Sequence, residues 1–196
     1  SGLGNAINPL TSLVDKKVYG IPMILLIGAR GSLGYKDEPQ HKKQGEITLK
    51  QLEILDIPYK VVDKDTENIR NLIQQSVSET LDRSGPVALV IRKGTFASIG
   101  RDLRSNSSYP MLREEAIEVI ISNLDKDTPI VSTTGVASRE LFEIRKRCGQ
   151  SHFRDFLTVG GMGYASSIAT GIAIALPETK VACIDGDGAA LMHLGP

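Results

Sequence analysis

Short apolar runs recur along the chain, and each is followed by a longer stretch in which apolar residues return every third or fourth position. The first run, residues 21–28 (Ile-Pro-Met-Ile-Leu-Leu-Ile-Gly), is almost continuous, as expected of a parallel strand covered on both faces. Further strands are predicted at 59–62, 87–91 and 129–132, in a short segment running into Val159, and at 181–184. Between them the helical period predicts helices at 49–55, 66–81, 113–124 and 138–148, and a small-residue helix after the glycines at 160–163. An N-terminal amphipathic helix carries Ala6, Ile7, Leu10, Leu13 and Val14, with Pro9 shortening or bending it. Strand and helix alternate throughout, so the expected architecture is α/β with doubly wound parallel sheets, whose ligands bind at the carboxyl ends of the strands.

Two stretches break the pattern. Residues 29–45 are predicted to form a long loop carrying Arg30, Asp37, Gln40, His41, Lys42 and Lys43; a loop of this length in an α/β unit serves a ligand or moves. The alternative is a merely solvated charged loop. Residues 93–110 lose all periodicity among glycines and serines, which divides the chain into units 1–95 and 112–196 joined by a linker at 96–111. The first unit opens on a glycine turn with no strand before it, which suggests the middle of a longer polypeptide.

Composition narrows the partners. The 196 residues hold 23 Lys plus Arg against 23 Asp plus Glu, and this zero net charge argues against nucleic acid or an anionic membrane as the main partner. No apolar run is long enough for a membrane span, no signal peptide opens the chain, and the distant Cys148 and Cys183 do not suggest a disulfide framework; a cytoplasmic protein is expected.

The candidate chemistry lies toward the C-terminus. After the run 181–184 come Asp185, then Gly186, Asp187 and Gly188, then Ala189, Ala190, Leu191 and Met192. Glycines admit a close backbone approach, a helix start offers free N–H groups to a diphosphate, and the carboxylate of Asp187 can hold a hard cation; the plain alternative is a tight turn. Thr134, Gly135 and Val136 form a second strand-to-helix turn with N–H donors and a hydroxyl, unless Thr134 simply caps its helix. Upstream of the Gly-Asp-Gly segment, Gly160, Gly161, Met162 and Gly163 open the small-residue helix.

This pair of motifs, in this order and separation, resembles the thiamine diphosphate-dependent decarboxylases. The resemblance extends over nearly the whole chain. Residues 1–95 look like the C-terminal half of the family's pyrimidine-binding domain, and residues 112–196 look like the N-terminal half of its diphosphate-binding domain, so each unit is incomplete. It implies thiamine diphosphate and Mg²⁺ as cofactors. By it, the Gly160 carbonyl accepts from the aminopyrimidine, Met162 props the bent cofactor, and Gly161, Gly186, Gly188 and Ala189 line the same site with Thr134, Gly135 and Val136. Asp187 becomes the metal ligand, and Met162 could otherwise be a core residue. Arg30, Gln40 and His41 become substrate contacts.

The implied reaction is non-oxidative decarboxylation of a 2-oxo acid with a phosphonate head group, a sulfonate being the alternative, in a homodimer or larger homo-oligomer. The glutamate that the family uses on the aminopyrimidine would precede Ser1, and the Asn that completes the metal site would follow Pro196. The resemblance thus implies that these residues alone do not complete catalysis. A non-catalytic cofactor- or nucleotide-binding fragment is the rival, although no G-x-G-x-x-G with a distal acid follows the first strand of either unit.

Overall fold

In the computed structural model, which describes residues 2–31, 34–97 and 109–193, the chain divides into two compact units, Ser1–Arg101 and Asp102–Pro196. Residues 98–108 of the expected linker lie outside the described residues.

The first unit begins with helices α1 (Gly2–Asn5) and α2 (Ile7–Pro9), continued by a π-helical turn, Leu10–Val14. Pro9 has no N–H to continue the ladder, and the helical segment is broken into short pieces around it. It still buries Leu10 and Val14. Strand β1 (Met23–Gly28) is followed by α3 (Pro39–Ile54), β2 (Tyr59–Val62), α4 (Ile69–Arg83) and β3 (Pro86–Ile91). The strands form a parallel sheet in the order β1-β3-β2. β3, the last strand of this unit in sequence, is central; both crossovers are helical, as parallel strands require, and β3 buries Val87, Ala88, Leu89 and Val90. Leu10, Val14, Leu52, Ile57, Ala88 and Val90 make the core, with Met23, Leu25 and Ile27 of β1 packed against it.

Two expectations change here. Strand β1 is an edge strand, and although its run is apolar, none of its residues is fully buried and Leu26 is 73% exposed, so neither of its faces is completely covered. The predicted loop 29–45 and helix 49–55 are replaced by a shorter loop and the long helix α3. Pro39 occupies its first turn, where a missing N–H costs nothing, and Gln, His and Lys carry the helix onward. Gly45, which reads as a breaker, is instead a contact residue: a Cβ there would run into the carbonyls of Gly31 and Arg30. The helix needs glycine at this point to lie against the loop.

The second unit runs α5 (Arg113–Ser122), β4 (Ile130–Ser132), α6 (Val136–Arg147), β5 (Asp155–Leu157), α7 (Ala165–Ala175), β6 (Ala182–Ile184) and α8 (Asp187–Met192). Its parallel sheet has the order β5-β4-β6, with Ile130, Val131 and Ser132 of the central strand buried. One face packs Ile130 with Ile117, Ile121, Leu141 and Ile144; the other packs Val131 with Ala165 and Ala169. Arg145 of α6 and Asp155 of β5 are 3% and 1% exposed, and they form a two-bond pair at 2.9 Å, with Gln150 taking a third guanidinium donor. This buried pair fixes α6 to the edge of the sheet.

Candidate functional site

In the second unit three strand-to-helix connections converge at the carboxyl end of the sheet. The Thr134 hydroxyl donates to the Val159 carbonyl at 2.6 Å, which joins the loop after β4 to the loop after β5 just before Gly160. It does not cap α6, whose N-cap is Gly135 at φ +99° and which has no side-chain cap. Thr158 donates to the Ser132 carbonyl at 2.9 Å, and the Thr133 N–H donates to the Ile184 carbonyl at 2.8 Å, so the loop after β6 joins the same assembly.

The glycine cluster packs on α8. Gly163, at φ +95°, is buried so tightly that an added Cβ would stand 2.9 Å from the Ala189 carbonyl and 3.2 Å from Met192 Cβ. Next to it the Tyr164 ring lies against His193 at 4.3 Å, which gives His193 a structural role. Gly161, at φ +66°, turns the loop so that Gly160 is half-buried and Met162 is 38% exposed.

These residues fit a diphosphate carried with a divalent cation. A Cβ at Gly135, Gly186 or Gly188 would meet nothing within 4 Å, so the backbone of both turns is open to a ligand. Asp187 begins α8 and is exposed, with Oδ1 accepting from the Gly188 N–H at 2.8 Å. No group of three or more potential ligands gathers among the described residues. Asp187 is the carboxylate these turns would offer a cation; magnesium is commonly held by one or two carboxylates together with phosphate oxygens and water. The sequence reading missed Asp185: its Oδ1 accepts from the Gly186 N–H at 2.9 Å, while Oδ2 is buried with no partner among the described residues, as are Ser132 Oγ at the end of the neighbouring strand and Thr133 Oγ1 just after it. These buried acceptors carry no motif, because their character comes from the pairing of β4 with β6.

In the first unit, two of the three proposed substrate contacts meet. Asp37 Oδ2 accepts from Arg30 Nε at 3.2 Å and from the Gly31 N–H at 2.8 Å. Its Oδ1 accepts from Arg30 Nη2 at 3.1 Å, the Glu38 N–H at 2.8 Å and His41 Nδ1 at 2.7 Å. The Arg30 guanidinium, then the backbone N–H of Gly31, then His41 and the Glu38 N–H hold the Asp37 carboxyl well below the usual carboxylate range. The same hydrogen bond raises Arg30 above its ordinary value. Gln40 and His41 lie in the first turn of α3, outside any loop; Gln40 is exposed and stands apart from the cluster. A cavity of about 600 Å³ opens beside Arg30, Lys42 and Arg92, between α3 and the ends of the strands.

Residues 133–196 match the family described as thiamine pyrophosphate enzyme, C-terminal TPP binding domain. Over 210 residues the chain is 33% identical to phosphonopyruvate decarboxylase of Streptomyces viridochromogenes, an alignment that takes in 100% of this chain and 51% of the relative. Sulfopyruvate decarboxylase subunit beta of Methanocaldococcus jannaschii is 42% identical over 87 residues, 44% of this chain and 43% of that subunit. Subunit alpha of the Methanococcus maripaludis enzyme is 38% identical over 91 residues, 46% of this chain and 52% of that subunit. The chain thus spans about half the length of the curated relatives it matches. Motif, fold and relatives agree: residues 133–196 match the binding domain of the thiamine pyrophosphate enzymes, and the whole chain is similar to about half of a phosphonopyruvate decarboxylase.

Proposed function

We propose that this chain is part of a magnesium-dependent enzyme that uses thiamine diphosphate to decarboxylate phosphonopyruvate, giving phosphonoacetaldehyde and carbon dioxide. The observation that carries this reading is the convergence, in the second unit, of three strand-end connections on an open Gly-Asp-Gly backbone. The similarity over the full chain to phosphonopyruvate decarboxylase supports the substrate. In this reading residues 1–95 belong to a pyrimidine-binding domain and residues 112–196 to a diphosphate-binding domain.

Thiamine diphosphate, when bound, supplies the electron sink for the pair released as carbon dioxide leaves a 2-oxo acid. The protein's own residues bind and orient. Asp187 would share a magnesium ion with the diphosphate, and the N–H groups of Gly188, Ala189, Gly135 and Val136 would meet its oxygens. The Gly160 carbonyl would accept from the aminopyrimidine amine, with Gly161, Met162 and Gly186 shaping the pocket around it. Arg30 and His41 would read the phosphonate by charge-assisted hydrogen bonds. Gln40, exposed and apart from them, would serve only as a peripheral contact.

Sulfopyruvate is the second reading, favoured by the higher identity to the alpha and beta subunits over shorter stretches. That enzyme is named by separate subunits, which supports an oligomeric assembly here, a homodimer or larger. No helix among the described residues is long and apolar enough to cross a membrane. In this reading the enzyme works in the cytoplasm.

Steady-state carbon dioxide release by the intact enzyme, with each 2-oxo acid in turn, tests this reading. Phosphonopyruvate should turn over only when thiamine diphosphate and Mg²⁺ are both present, with a higher kcat/KM than sulfopyruvate. A preference for sulfopyruvate would transfer the assignment to that substrate, and the absence of decarboxylation of either would refute it.

A further inference from the structure

Among the described residues of the first unit, Asp37 is the most heavily used side-chain acceptor. An ionised carboxylate has about four lone-pair sites, and five donors crowd onto those of Asp37: the Nε and Nη2 groups of Arg30, two backbone N–H groups and His41 Nδ1. Since the carboxylate can only accept, the proton between it and His41 belongs to Nδ1. The 3.0 Å approach of Arg30 Nη2 to the same ring nitrogen is then two donors converging on one oxygen.

The exposures are graded in a way that suits this arrangement. The Asp37 side chain is 14% exposed and that of Arg30 is 54%, so the acceptor is inside and the guanidinium is outside. The backbone beneath is fixed too. Gly31, at φ +63°, lies against the His41 carbonyl, and Lys93 donates to the Lys36 carbonyl at 3.3 Å, which ties the loop to the end of β3.

We propose that Asp37 is the positioning residue of this loop: by taking the Nε–Nη2 edge of Arg30 and the Nδ1–H of His41 together, it leaves Arg30 Nη1 and, in the imidazolium form of the ring, the His41 Nε2–H as the donors presented to the acidic head group of the substrate. The inference rests on the reading of Arg30 and His41 as head-group contacts. It assigns Asp37 no contact with substrate. Its effect is orientation, which lowers the ordering cost of two flexible donors before the substrate arrives.

Three arms test it in the intact enzyme. In histidine-¹⁵N-labelled wild type, neutral His41 should carry its proton on Nδ1, and Asp37→Asn or Asp37→Ala should shift it toward Nε2. The kcat/KM ratio of phosphonopyruvate over pyruvate should fall roughly 10- to 100-fold in both Asp37 variants, mainly through KM. Adding Arg30→Ala to Asp37→Ala should lower the ratio less than Arg30→Ala does alone, because the two act as one unit.

If Arg30→Ala and His41→Ala lower the ratio while the Asp37 variants keep both ratio and tautomer, the positioning role is overturned and the head-group reading stands. If Arg30→Ala and His41→Ala leave the ratio at the wild-type value, the head-group reading itself fails and takes this inference with it. Should the Asp37 variants fail to fold, the labelled wild type still decides: an Nε2–H tautomer overturns the proposal.

Discussion

The two candidate sites are built from different materials. In the first unit Arg30, Asp37 and His41 hold one another through side chains, and among the described residues the surrounding backbone contributes the N–H groups of Gly31 and Glu38. In the second unit the loops are joined through main-chain carbonyls of Ser132, Val159 and Ile184, and the surface left open is glycine backbone at 135, 186 and 188. A side-chain site can be retuned by one substitution without moving the fold. A backbone site is as rigid as the sheet that carries it, and substitutions there act through shape. The first arrangement suits discrimination between substrates, and the second suits holding a cofactor part that does not change from one turnover to the next.

The largest expected effect lies in the scaffold of the backbone site. Asp155→Ala would leave Arg145 buried with only Gln150 as partner, and removing one member of a buried pair costs about 3–5 kcal/mol. Denaturant unfolding of the intact protein should show this loss, whereas deletion of the outward-facing Lys43–Glu46 pair should cost less than about 1 kcal/mol. Equal costs would mean that the Arg145 pair is not what fixes α6 to β5.

Next come two glycines that separate the sites. Gly163→Ala demands a left-handed backbone from a residue with a Cβ and pushes it against the Ala189 carbonyl, a cost of about 2–4 kcal/mol that should appear as weakened cofactor affinity. Gly45→Ala would ordinarily stabilise a helix interior. Here the methyl meets the Gly31 and Arg30 carbonyls, so it should destabilise by about 1–3 kcal/mol and shift discrimination between phosphonopyruvate and pyruvate, with cofactor affinity unchanged. Calorimetry and substrate ratios measured on both variants would break the comparison if the two effects were exchanged.

Met162→Ala should lower turnover roughly tenfold while diphosphate affinity is kept, since only the cofactor's approach geometry would be lost. Unchanged turnover in a folded variant would make Met162 a packing residue.

The smallest effect is a pH dependence that should be flat. Asp37 has a folded pKa below its unfolded one, so its contribution to stability is complete above the unfolded value near about pH 4 and is lost only as pH falls through the folded value. Measured in a His41→Ala background, so that no imidazole beside the carboxylate titrates, the difference in Tm made by Asp37→Asn should therefore stay constant from about pH 5 to about pH 8. A difference that closes within that window would show that Asp37 is not held ionised by Arg30.

The same contrast explains what could be read from the sequence. Parallel strands with helical crossovers announce themselves by apolar runs and period, and β2 falls at the expected residues 59–62. The Gly-Asp-Gly segment is visible because a backbone site needs glycine, and glycine stands in the sequence. The side-chain site was half visible: Arg30 and His41 carry obvious chemistry, but Asp37 gains its role only when α3 starts at Pro39 and brings His41 one turn above it. Gly45 hid that start, because a glycine required by close packing looks the same as one that ends a helix. Asp185 and Thr133 were hidden for another reason, since their burial depends on which strands are neighbours.

The claim that the second unit holds the cofactor through backbone and a single metal-bound carboxylate is tested most directly at Asp187. Thiamine diphosphate should be titrated calorimetrically into the intact wild-type enzyme and Asp187→Ala, each with Mg²⁺ present and with Mg²⁺ chelated. Wild type should bind tightly only with the metal, and the variant should lose affinity by on the order of 100-fold with metal and show no further loss when it is removed. Wild-type affinity in Asp187→Ala, still dependent on Mg²⁺, would contradict the account.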